Sequence, residues 1–193
     1  MISDILPGIL AECGIDRTSP TIVDASFEIR QLRELMNEAG RDINARADWA
    51  RAVKVVTAAD VAFIDLPNDF LRISAVTVGD DDHVPARPVL SPEMWQMLEK
   101  LPSDQTFFHL KEGRIYFSPA IDPLGVTVRY VSSNWLVTKA AITADTDAAV
   151  FPDHLLRRGA IWRWKRQKGL PYDDILAEYE ADLDTAIRMD RGA

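Results

Sequence analysis

Residues 161–172 read Ile161-Trp162-Arg163-Trp164-Lys165-Arg166-Gln167-Lys168-Gly169-Leu170-Pro171-Tyr172. Gly169-Leu170-Pro171 is a tight turn, because Gly and Pro punctuate regular structure more strongly than other residues. Before it, Pro152-Asp153 starts a helix that reaches about Lys168. After it, Tyr172, Ile175, Leu176, Tyr179, Leu183, Ala186 and Ile187 recur at helical spacing, which predicts a second helix from Tyr172 to about Met189. The C-terminal third therefore reads as an αα-hairpin.

The hairpin is charged in an ordered way. Residues 153–168 hold six cations, Arg157, Arg158, Arg163, Lys165, Arg166 and Lys168, against one acid, Asp153. Residues 171–190 hold seven acids against one base, Arg188. One reading is that the two helices pair their charges with each other, an arrangement that also suits the helix dipoles. The other is a charged surface that docks on a neighbouring protein, where complementarity sets register and specificity. Trp162 and Trp164 stand two apart on the basic helix and cannot face the same way. One is expected in the hairpin core, which leaves the other for a partner contact, where Trp is enriched. Arg157, Arg158, Trp162, Arg163, Trp164 and Arg166 are thus the candidate partner-binding residues.

Two further helices precede this region. Ile2–Cys13 has helical spacing, with the regular helix expected to start near Leu6 and Pro7 in its first turn. A longer helix is expected from Ser26 to Ala47. Ile29, Leu32, Leu35, Met36, Ala39 and Ile43 share one face. Arg30, Arg33, Glu34, Asn37, Arg41 and Asp42 fall on the other. Gly40 permits close helix packing, and Trp49 closes the segment. Between these helices and the hairpin the apolar period changes to that of strands. Val53–Thr57, Val61–Leu66, Leu71–Val78, Val84–Leu90, Phe107–Leu110, Arg114–Phe117 and Val126–Val131 are strand-like. Lys111-Glu112-Gly113 fits a hairpin loop, and Ser91-Pro92 opens a short helix. The fold class is α+β. Residues 1–50 and 150–193 form a helical bundle layer, and residues 51–149 form an inserted antiparallel β subdomain of about five strands.

Composition narrows the function. The chain has 193 residues, 47% of them apolar, and a net charge of −8. A protein that grips nucleic acid by its phosphates usually presents a basic surface, so a general DNA binder is disfavoured. No apolar run is long enough for a membrane span. There is no secretory signal, and the single cysteine, Cys13, cannot form an internal disulfide. His83, His109 and His154 stand in no metal-ligand spacing and read as surface residues. Asp80-Asp81-Asp82 reads as a solvated hairpin tip rather than a cation site. No P-loop, Gly-rich dinucleotide motif or nucleophile elbow occurs. These patterns predict no enzyme, no cofactor and no metal.

Four stretches together resemble the head-to-tail adaptor (connector) family of short-tailed phages and related prophages. They are Ile29–Trp49, especially Leu35-Met36-Asn37-Glu38-Ala39-Gly40-Arg41 followed by a Trp; Leu66-Pro67-Asn68-Asp69-Phe70-Leu71-Arg72; Tyr130-Val131-Ser132-Ser133-Asn134-Trp135; and Phe151-Pro152 through Tyr179 with the Trp-Arg-Trp-Lys-Arg block. The resemblance implies a structural virion protein, made in the host cytoplasm. It would form a ring of twelve subunits between the portal protein and the tail or nozzle protein, with DNA passing through as cargo during genome ejection. A tail-completion or terminator protein of the virion is the alternative. The family has no catalytic residues to carry over.

Overall fold

In the computed structural model, the described residues are 1–59, 61–79, 84–98, 100, 105–121 and 125–192, without the side chains of 119–121. They contain helices α1 (Ile2–Glu12), α2 (Phe27–Arg46), α3 (Pro92–Leu98), α4 (Asp153–Gln167) and α5 (Asp173–Arg191). The strands are β1 (Val53–Ala58), β2 (Val61–Asp65), β3 (Phe70–Val78), β4 (Val84–Pro85), β5 (Arg87–Pro88), β6 (Phe107–Lys111), β7 (Arg114–Ile121) and β8 (Val126–Ser132). The fold is α+β, with the strands between N-terminal and C-terminal helices. The chain divides into a helical unit, Met1–Ala52 with Ser133–Ala193, and a β unit, Val53–Ser132. Residues 133–149 thus fall in the helical unit.

In the helical unit α4 packs against α1, α2 and α5. Ile29, Leu32, Met36, Ala39 and Ile43 of α2 are buried, as their period requires. Asn37, expected on the polar face, is buried instead, and its Oδ1 accepts the Ile142 amide at 2.9 Å. A buried amide needs such a partner. Trp49 caps the end of α2 by donating from Nε1 to the Ile43 carbonyl at 2.9 Å. α1 starts at Ile2, earlier than expected, with Pro7 inside it. The amides of Ile2 and Ser3 donate to the carbonyls of Asp147 and Asp145, at 2.8 and 2.9 Å. Loop residues therefore satisfy the first turn. Pro7 is exposed, and so is Ser3, whose carbonyl loses its helical partner to the proline.

Among the described residues the β unit holds two four-stranded sheets, not the one sheet of about five strands that was expected. Their orders are β1-β8-β3-β4 and β2-β7-β6-β5. The difference arises at Val84–Leu90, expected as one strand. The Ala86 amide bonds Val76 of the first sheet at 2.9 Å, and the Arg87 amide bonds Thr106 beside the second at 3.0 Å. The chain changes sheets there, between two prolines that cannot extend a ladder. The short β5 pairs parallel with β6, so the second sheet is mixed. Ile64, Val76, Val78, Phe108, Ile115, Phe117, Val126 and Val128 form the core of the unit. Glu112 and Gly113 turn the β6–β7 hairpin at φ of 50° and 76°, the positive angles that a two-residue hairpin loop demands.

One clasp ties the β unit together at Asp69. Lys54 Nζ lies 2.5 Å from its carboxylate, Ser132 Oγ 2.6 Å and Tyr130 Oη 3.1 Å. Burial alone would raise this carboxyl, but the three donors outweigh it and hold the pKa at about 2. A carboxylate lowered on folding adds stability that is present above its unfolded value and lost as pH falls through its folded one. Asp69→Asn is therefore expected to cost on the order of 1–2 kcal/mol at pH 7, after allowance for solvent screening, and almost nothing at pH 2. Urea titrations at both pH values check this; an equal loss at both would remove the carboxylate charge from the account.

Candidate partner interface

α4 has almost no apolar side, yet Leu155–Trp164 is buried except for Arg157 and Arg158, which are half-buried. A helix with charges spread round it can be enclosed only if each buried charge meets a partner. Arg163 is 5% exposed, and its Nη2 lies 3.0 Å from Asp42 of α2 while its Nη1 donates to the Gly159 carbonyl at 3.0 Å. Its Nε is 3.5 Å from Glu38, and the guanidinium lies 4.3 Å from the Trp162 ring. Tyr179 of α5 donates to the same Asp42 at 3.1 Å. Burial pushes the Tyr179 hydroxyl to about 12, so it stays a donor.

The other cations are shared among the neighbouring helices. Arg157 pairs with Glu12 of α1 at 2.5 Å, and Arg158 with Glu178 and Asp182 of α5 at 2.8 and 3.2 Å. Arg166 is exposed and lies 5.2 Å from the Trp162 ring. Lys168 lies 4.5 Å from the Trp164 ring. Charge pairing inside the hairpin thus accounts for Arg158; Arg157 and Arg163 reach α1 and α2 instead.

The expectation of one outward tryptophan is corrected. Trp162 is 8% exposed and Trp164 3%. The two do point apart, but α4 has helices on three sides, so both directions end in protein. Trp162 packs between Tyr172 and Tyr179, each 6.3 Å away between ring centres. Of the six candidate residues, Trp162, Arg163 and Trp164 are interior. Arg157, Arg158 and Arg166 reach solvent.

The structure also joins the distant stretches of sequence singled out above. Gly40 meets Trp135, Asp69 meets Tyr130 and Ser132, and Asp42 meets Arg163 and Tyr179. The model of the SU10 adaptor protein family matches residues 10–193. The chain belongs to the SU10 adaptor protein family. No curated protein matches it. As a member of that family it is a phage adaptor protein and a virion component. Among the described residues of this adaptor, no group of His, Cys, Asp or Glu is placed to hold a metal ion. No helix among them is long and apolar enough to cross a membrane.

Other adaptor residues fall as follows. His109 is half-buried rather than on the surface, stacked on Trp95 at 5.4 Å with Nδ1 2.7 Å from the Val89 carbonyl. His154 is exposed. Burial pushes the half-buried Cys13 thiol up to about 12. Asp80-Asp81-Asp82 and His83 lie outside the described residues.

Proposed function

We propose that this adaptor is a head-to-tail ring subunit that joins the portal to the tail or nozzle and forms part of the DNA channel. The observation that carries the reading is the family match over residues 10–193. The net charge of −8 suits a channel that repels phosphates and lets DNA slide. A ring of twelve follows from the resemblance, with host cytoplasm as the compartment before assembly. Free subunits stay apart at low concentration, and the portal ring supplies the symmetry and local concentration that assemble them. The attachment surface is assigned to Arg157, Arg158 and Arg166, the solvent-reaching members of the charged set.

Electron microscopy of the protein mixed with its portal tests the reading. An added layer on portal rings is expected; decoration of tail tubes alone would favour the tail-completion protein instead. The variant Arg158→Gln/Arg166→Glu is expected to lose portal decoration while it melts near wild type, because it adds no third carboxylate beside Glu178 and Asp182 and partly exposed ion pairs contribute little to stability. Normal occupancy by that variant would move the attachment surface elsewhere.

A further inference from the structure

At the N-terminal end of α2, the helical unit carries an open groove of about 500 Å³ beside Gln167 at the end of α4. Phe27, the first residue of α2, lines it and is 63% exposed. Arg30 and Arg33 line it too, and Lys168 stands beside it, bonded to Gln31 at 3.0 Å. Glu34 is the carboxylate among the lining residues. No salt bridge to a described residue neutralises Arg30, Arg33 or Lys168, although the other arginines of α2 and α4 so often have one. An exposed aromatic among unneutralised cations fits a partner that is both small-faced and acidic.

The same chain presents such a surface. Along the outer face of α5, Asp174, Glu178 and Asp184 are exposed around Ala177 and Ala181. Spacings of three and four place these residues on one side of the helix. Asp174 and Asp184 make no salt bridge with a described residue, and the two alanines allow a second helix to approach closely. We propose that the outer face of α5 in one copy docks into the α2 groove of the next. The two surfaces are different, so the contact is heterologous. A heterologous contact repeated by a rotation that divides a full turn closes a ring. The inference rests on the ring reading and names the subunit contact within it.

Charge reversal tests it on the full chain, by sedimentation velocity at low salt and by microscopy with portal. Wild-type protein is expected to self-associate as concentration rises, and less so in high salt. Arg30→Glu/Arg33→Glu alone, and Asp174→Lys/Asp184→Lys alone, are each expected to weaken association at least tenfold. Mixing the two variants restores it, because every contact in an alternating assembly then joins opposite charges. Restoration by mixing also shows that both variants are folded. Association indifferent to both reversals, or not restored by mixing, overturns the proposed contact. If portal rings are still decorated by both variants, the contact fails and the ring reading stands. If wild type decorates no portal, the ring reading itself fails.

Discussion

Arg163→Ala is expected to destabilise the helical unit by about 3 kcal/mol, the low end of the 3–5 kcal/mol typical when one member of a buried ion pair is removed. The low end applies because Asp42 is 29% exposed and Glu38 54%, so water relieves part of the orphaned charge. What remains is Asp42 and Glu38 side by side, with Tyr179 and Arg46 as the donors left to Asp42. In a chain of 193 residues, a loss of that size lowers Tm by roughly 6–12 °C. Urea unfolding followed by tryptophan fluorescence measures it. Adding Asp42→Asn should recover part of the loss, since the two residues form one network. A change below about 1 kcal/mol for Arg163→Ala would show that the hub contributes little. For the same reason Arg163→Glu cannot serve as a docking variant. It would set three carboxylates together at a site 5% exposed, and lost docking would report lost structure.

Trp135→Ala is expected to cost about 3–5 kcal/mol, the range for removing a large buried aromatic. Trp135 is 0% exposed, stacks on Phe151 at 6.1 Å and donates from Nε1 to the Ala140 carbonyl at 2.7 Å. Its ring lies flat on Gly40, where a Cβ would come within 2.4 Å of the indole. Gly40→Ala in the wild-type background is therefore expected to destabilise by about 1–3 kcal/mol through overpacking. In the Trp135→Ala background the sign should reverse. The clash is gone there, and alanine is favoured over glycine inside a helix by about 1 kcal/mol. A double-mutant cycle by urea denaturation reads this directly. Gly40→Ala with the same effect in both backgrounds would show that the two residues are not coupled.

Much of the architecture was legible along the chain. α2, α4 and α5 begin and end within a few residues of the positions set by their turns, caps and apolar spacing, because those signals are local. The β6–β7 hairpin followed from Glu112-Gly113 for the same reason. The α+β class followed from the change of period between Trp49 and Pro152. Strand number and sheet count did not, because sheet membership depends on which distant strand supplies the next hydrogen bond. A run such as Val84–Leu90 carries the same residues whether it stays in one sheet or crosses between two.

The charged hairpin shows the same division most clearly. Sequence alone determined that α4 is basic, that α5 is acidic and that Trp162 and Trp164 point apart. It could not determine that α4 would be enclosed by three helices. Arg163 reads like any other surface arginine until Asp42, 121 positions away, is brought within 3.0 Å of it. Periodicity reports which residues share a face of one helix. Whether that face meets water or another helix is decided by the packing of the whole unit, where a buried charge is tolerated only because its partner arrives from elsewhere in the chain.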